Sequence, residues 1–228
     1  MRRFGFVASA RNFQFTPLQI LVHLAAWALV AWLAWDYMAG NLTVNPIQAA
    51  TQRTGRYAIT FLVLSLACMP LYSLFGFRQL LTVRRTLGLY AFSFAATHLY
   101  IFLGIDYGFN LGLLKADLLT KRYILAGAAT MLILIPLAVT SFKWWMRLLG
   151  KNWKRLHRLV YLAGILAVFH YGWAKKGDLF RLQGDMALPI FYGVLVTILL
   201  AMRLPAVRRG ITKMRGRLKT NKTIMSQT

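Results

Sequence analysis

Between Pro17 and Leu204 the chain alternates apolar runs of about 19 residues with short polar breaks, and a run of that length is what a helix needs to cross a bilayer. The runs fall at roughly 17–36, 57–75, 86–105, 123–141, 156–174 and 186–204. Hydrocarbon offers the backbone no water, so each run must close its hydrogen bonds within itself. The expected fold is therefore all-α, a bundle of six transmembrane helices over 17–204, with a cytoplasmic segment over 1–16 and a basic tail over 205–228. Only 14% of the 228 residues are charged, against about a quarter in an ordinary soluble domain. The first run follows Arg2, Arg3 and Arg11 as a signal peptide would, but it is too long, carries Trp27, Trp32 and Trp35, and lacks a small-residue cleavage site, so it is expected to be retained. The sequence offers no internal repeat.

The charged residues set the orientation. Lys and Arg number 28 against 5 acids, a net charge of +23. In a soluble protein this would suggest nucleic acid, but here the bases cluster in the breaks between apolar runs, and no nucleic-acid role is assigned. Twenty of them lie in the amino-terminal segment, the second and fourth loops and the tail. The other eight share the first, third and fifth loops with Asp36, Asp106, Asp117, Asp178 and Asp185. Both termini are accordingly expected in the cytoplasm. The tail reads as an anchor on anionic lipid or as a dock for an acidic partner.

Ionisable groups inside the runs are the next constraint, because burying them in hydrocarbon is costly and by default marks a functional site. All four histidines lie in or at the end of a run: His23 in the first, His98 in the third, His157 and His170 in the fifth. At a rise of about 1.5 Å per residue, His98 lies about 20 Å beyond Arg85, and His170 the same distance beyond His157. The two therefore share one depth, where a pair of neutral imidazoles can supply both axial ligands of an iron porphyrin and favour electron transfer. Gly88, Ala91 and Ala95 accompany His98, and Ala163, Gly164 and Ala167 precede His170; such residues leave room for a flat macrocycle, or simply let helices pack closely. His157 and His23 could bracket a second, inner cofactor, or serve as interfacial and packing residues. Zinc would want thiolates or carboxylates nearby, and the single Cys68 offers neither a disulfide nor a covalent heme attachment site. Five scattered Asp make no paired-carboxylate or Ser-His-Asp site, so no catalytic residue is assigned and the chain is expected to pass electrons.

Several stretches resemble a known family. They are Asn45-Pro46 through Thr54-Gly55-Arg56, Arg84-Arg85-Thr86-Leu87-Gly88-Leu89 leading to His98, and Lys121-Arg122-Tyr123. Thr140-Ser141, Leu149-Gly150-Lys151-Asn152-Trp153, Leu156-His157, Tyr161 and His170-Tyr171 continue the series. In order and spacing they resemble the heme-binding membrane subunit of bacterial periplasmic protein-methionine-sulfoxide reductase systems, the MsrQ or YedZ family, over residues 17–204. That family looks like the ferric reductase transmembrane domain without its flavin and nicotinamide domains. The resemblance implies one or two b-type hemes, with His98, His157 and His170 associated with iron and His23 at a position where such proteins often carry a histidine. It implies a bacterial inner-membrane location and electrons taken from the quinone pool or a cytoplasmic flavin reductase. These would pass to a periplasmic molybdenum-containing partner that reduces methionine sulfoxide in envelope proteins. FMN is associated with the family; Arg84, Arg85 and Arg158 could neutralise its phosphate or heme propionates, or act only as anchors. Two departures stand out. The third run has one histidine rather than two, and 12 residues rather than 13 separate His157 from His170. A different heme electron carrier, such as a ferric reductase or quinone cytochrome, and a cofactor-free transporter using a histidine proton relay are the alternative functions.

Overall fold

A computed structural model of the chain describes residues 15–175, 186–207 and 209–211. The basic residues Arg2, Arg3 and Arg11, the acids Asp178 and Asp185, and the tail beyond residue 211 lie outside the described residues. Among those described, all regular structure is helical: α1 (Pro17–Met38), α2 (Pro46–Phe75), α3 (Gln79–Tyr100), α4 (Leu111–Thr120), α5 (Arg122–Val139), α6 (Lys143–Leu149), α7 (Lys151–Leu156), α8 (Val160–Ala174) and α9 (Ala187–Ala201). A π-helical stretch, Ile101–Asp106, prolongs α3, and a 3-10 turn, His157–Leu159, leads into α8.

Local chemistry sets the boundaries. Thr16 and Gln19 form a reciprocal capping box at α1, with Pro17 in the first turn where its missing N–H costs nothing. Asn45 caps α2 through Gln48 N, again with Pro following. Gly76 ends α2 at φ 79°, a conformation that a side chain would strain.

Among the described residues, four helices are long and apolar enough to cross a bilayer: α1, α2, α3 with its π extension to Asp106, and α5. α9 makes a fifth when joined to the short helix Pro205–Ile211, bent 67° from it. The expected fifth run is broken at His157–Leu159, which leaves α8 with 15 residues; α9 also has 15. Contacts fix the directions. Thr51, Tyr57 and Phe61 of α2 meet His98, Phe94 and Tyr90 of α3, an antiparallel pairing. In α5, Tyr123 and Thr140 meet His170 and His157, which is antiparallel again. Thr60 and Leu66 of α2 bond Tyr192 and Arg203 near the ends of α9, so these two run parallel. The bundle thus has an end bearing α4 and an end bearing α6 and α7. The core joins Phe61, Leu62 and Cys68 of α2 to Leu87, Ala91 and Phe94 of α3, Leu134 of α5 and Ala163 of α8. α1 buries little else than Ala26 and Asp36, while Leu24, Trp27 and Trp32 are each more than 60% exposed, the face a bilayer would cover.

Two residues depart from their expected settings. Asp36 is no loop acid; it is buried in the last turn of α1 and ion-paired with Arg53 of α2. Arg203, counted with the bases at the carboxyl end of the sixth run, reaches inward to donate to the Leu66 carbonyl and to the Tyr161 hydroxyl, 2.8 Å away, with its guanidinium 4.8 Å from the Tyr161 ring centre. Leu66 O is the carbonyl that Pro70, four residues on, cannot satisfy for lack of an N–H. A cation from the end of another helix replaces the missing donor.

Candidate functional site

His98 and His170 meet at the α4 end of the bundle. Their ring centroids are 5.8 Å apart and their planes stand at 85°. Each uses Nδ1 on a backbone carbonyl of the helix antiparallel to its own: His98 on Thr51 O at 2.8 Å, and His170 on Tyr123 O at 2.7 Å. A carbonyl only accepts, so both rings carry their proton on Nδ1 and leave the Nε2 lone pair free, the arrangement in which a histidine ligates metal. A metal–imidazole bond of about 2 Å puts the ring centre roughly 3 Å from the ion, so two rings on opposite sides of one ion stand about 6 Å apart. The observed 5.8 Å matches that separation. Among the described residues no group of three or more His, Cys, Asp or Glu could hold a metal ion, so the donor set suits an ion that already has its equatorial ligands. Two axial imidazoles with a macrocycle between them fit these residues.

Glycines make the approach feasible. A Cβ on Gly127 would lie 2.8 Å from His170 Nδ1, and one on Gly55 would lie 3.1 Å from His98 Nδ1. The basic residues next to the pair along the chain are Arg53 and Arg56, after Thr51, and Lys121 and Arg122, before Tyr123. Beside them Tyr107 and Lys121 both donate to Asp117. The Lys121 ammonium, with Tyr107, holds that carboxyl below the usual range, while burial and the bond to Asp117 push the Tyr107 hydroxyl up to about 12.

The other sequence-predicted residues lie apart from the pair, though His23 and Arg85 share one cleft. His23 Nδ1 meets the Tyr90 hydroxyl at 2.7 Å and has Phe15 on its edge. It lines a cleft of about 320 Å³ between α1 and α3, with Gln19, Arg85, Tyr90 and Ser93 in the wall. His157 lies at the α6–α7 end, stacked on Trp153 at 4.1 Å and bonded through Nε2 to the Thr140 hydroxyl at 3.1 Å. Thr140 gives its own hydrogen to Pro136 O, so His157 must donate from Nε2. Trp153 Nε1 donates to the Thr140 carbonyl, completing a corner that pins α7 to the end of α5. His23 and His157 therefore have separate partners, on α3 and α5 respectively. Arg84 and Arg85 precede His98 by 14 and 13 residues on one continuous helix, about 20 Å along its axis. That distance removes them from the propionates of a heme held by His98 and His170, and Arg158, exposed and 12 residues before His170, is similarly remote. Any anion they meet belongs to the α6–α7 end. Arg85 lies over the Phe142 ring, 5.6 Å from its centre.

A paired histidine site between two parallel helices, α3 and α8, of an apolar bundle defines a class, and the family model of the ferric reductase like transmembrane component matches residues 54–168. More particular relatives cover most of the chain. A Rhodospirillum rubrum protein is 39% identical over 193 residues, 84% of this chain and 89% of its own. One from Caulobacter vibrioides is 39% identical over 194 residues, 85% and 89%, and one from Xanthomonas euvesicatoria pv. vesicatoria is 39% identical over 190, 80% and 84%. Each is named protein-methionine-sulfoxide reductase heme-binding subunit MsrQ. The chain belongs to the MsrQ family within the ferric reductase like transmembrane proteins.

Proposed function

We propose that this protein is a b-type cytochrome of the bacterial inner membrane, the electron-transfer subunit of a methionine sulfoxide reductase system, with His98 and His170 as the axial ligands of one heme. The observation that carries the reading is the perpendicular ring pair at 5.8 Å with both Nδ1 atoms committed to backbone carbonyls. A heme held there supplies a one-electron redox centre. His98 and His170 would hold it from both sides and apolar helices would surround it, which favours electron transfer over oxygen chemistry. Electrons would enter from the quinone pool or a cytoplasmic flavin reductase at the α6–α7 end, where Arg84, Arg85 and Arg158 could also meet an FMN phosphate. They would leave at the α4 end for a periplasmic, molybdenum-containing catalytic partner that repairs oxidised envelope proteins. In this reading six helices span the membrane and both termini face the cytoplasm, the side that holds Arg84, Lys143, Arg147, Lys151 and Lys154.

The reading is tested with the purified protein in proteoliposomes, reduced by a quinol or a flavin reductase and offered a purified periplasmic methionine sulfoxide reductase. Reoxidation coupled to sulfoxide reduction, lost in His170→Ala, is the expected result. Reoxidation by ferric chelates but not by the reductase would assign the site to another acceptor.

A further inference from the structure

The two histidine contacts repeat each other along the chain. Thr51 precedes His98 by 47 positions, and Tyr123 precedes His170 by 47. Gly55 precedes His98 by 43 positions, and Gly127 precedes His170 by 43. Each unit consists of a carbonyl and the glycine four residues later on one helix, α2 or α5, facing a histidine on the antiparallel helix, α3 or α8. The residue pattern conceals this repeat because few side chains correspond between the halves. In the second unit the counterpart of Arg85 is His157, which is why the third apolar run has one histidine where the fifth has two.

The geometry explains why glycine stands there. In an α-helix the carbonyl of residue i takes the N–H of residue i+4 with one lone pair, and side chains three and four residues on lie over the same face. A second lone pair remains, but a Cβ at i+4 obstructs the approach of a ring from a neighbouring helix. Glycine inside a helix costs about 1 kcal/mol relative to alanine, so two of them at matching places need a compensating role. Here the compensation is access: the imidazoles occupy the space where the Cβ atoms would be.

We propose that Gly55 and Gly127 are positioning residues, a duplicated backbone window through which His98 and His170 donate Nδ1–H to the carbonyls of Thr51 and Tyr123. The windows fix both tautomers with Nε2 as the ligating atom and make each imidazole a stronger donor to iron. This rests on the heme reading above and adds to it a cause for the axial field. The two contacts are unequal. At Gly127 an added Cβ falls under 3.0 Å from the ring and forces it to move, whereas at Gly55 it falls at 3.1 Å and a shift of a few tenths of an ångström suffices. A displaced ring loses its carbonyl, becomes a weaker donor and stabilises the ferric state less, so the midpoint potential rises.

The test compares the heme-loaded wild type with Gly127→Ala, Gly55→Ala and the control Gly193→Ala. The control Cβ meets Val168 at 3.3 Å and no histidine. Heme per chain, low-temperature electron paramagnetic resonance and redox titration are read on samples that elute as single species with unchanged helix content. The expected order is Gly127→Ala, then Gly55→Ala, then the control at wild-type values. Gly127→Ala should change the ferrous to ferric ratio at fixed potential by about tenfold, a 59 mV rise for one electron, or lose heme. If Gly127→Ala does not fold, Gly55→Ala decides by an altered ferric signal and a smaller rise. Wild-type signal and potential in the folded variants would overturn the window. Heme retained at wild-type level in both His98→Ala and His170→Ala would instead overturn the heme reading beneath it.

Discussion

At the scale of single residues the four histidines divide by the partner each one has found. His98 and His170 give Nδ1–H to backbone carbonyls, which leaves Nε2 without a proton, while His157 gives Nε2–H to Thr140 and stacks on Trp153. The distinction predicts opposite outcomes for similar substitutions. His157→Ala should keep the heme absorbance of the wild type and lower the thermal midpoint, because it removes a hydrogen bond of about 1 kcal/mol and a ring contact from the α5–α7 corner. Loss of the visible spectrum in that variant, measured on folded protein, would make His157 a ligand after all. The shared depth of His98 and His170 was legible in the sequence, since helical rise alone brings them to one level. Their acceptors were not, because a carbonyl has no side chain to read and Gly55 and Gly127 look like any small residues in a packed helix. Asp36 was misread for a related reason: a carboxylate near the end of an apolar run looks like a loop residue until Arg53 appears on the next helix.

Among the elements, α2 shows how one sequence irregularity organises a neighbour. Pro70 leaves Leu66 O without its helical donor, and Arg203 from the end of α9 supplies one while lying over Tyr161 of α8. Three helices are tied at one carbonyl. Arg203→Leu should therefore destabilise the detergent-solubilised protein by about 1 to 3 kcal/mol. In a Pro70→Ala background, where the substituted residue regains a backbone N–H that can close the turn, the same change should cost less; equal costs in both backgrounds would remove the link between the proline and the arginine. The boundaries of α1 and α5 follow their apolar runs closely, whereas α2 starts at its Asn45 cap, well before the run expected from residue 57. The break at His157–Leu159 falls among Arg155, His157 and Arg158, where hydropathy places only the start of a run, and the π-helical extension of α3 rearranges backbone bonds inside a stretch that stays largely apolar.

For the whole molecule, alternating directions bring the ends of α2 and α5 beside those of α3 and α8, and so place the paired histidines at the end opposite most of the described basic residues. Reporter domains joined at the α1–α2 and α3–α4 connections should be active only in the periplasm, and those joined at the α2–α3 and α5–α6 connections only in the cytoplasm; the reverse pattern would invert the direction of electron flow. That orientation came from the spacing of Lys and Arg, whereas the pairwise repeat emerged only from contacts. The most direct test of the central claim is a reduced-minus-oxidised spectrum with pyridine-hemochrome quantification on the wild type, His98→Ala and His170→Ala, all inserted and purified alike. One low-spin b-type heme per chain is expected in the wild type, with the strongly anisotropic ferric signal of perpendicular imidazole planes, and its loss is expected in both variants. A colourless wild type from heme-replete cells, which would return the histidines to a proton relay, or an unchanged low-spin spectrum in either variant, would contradict it.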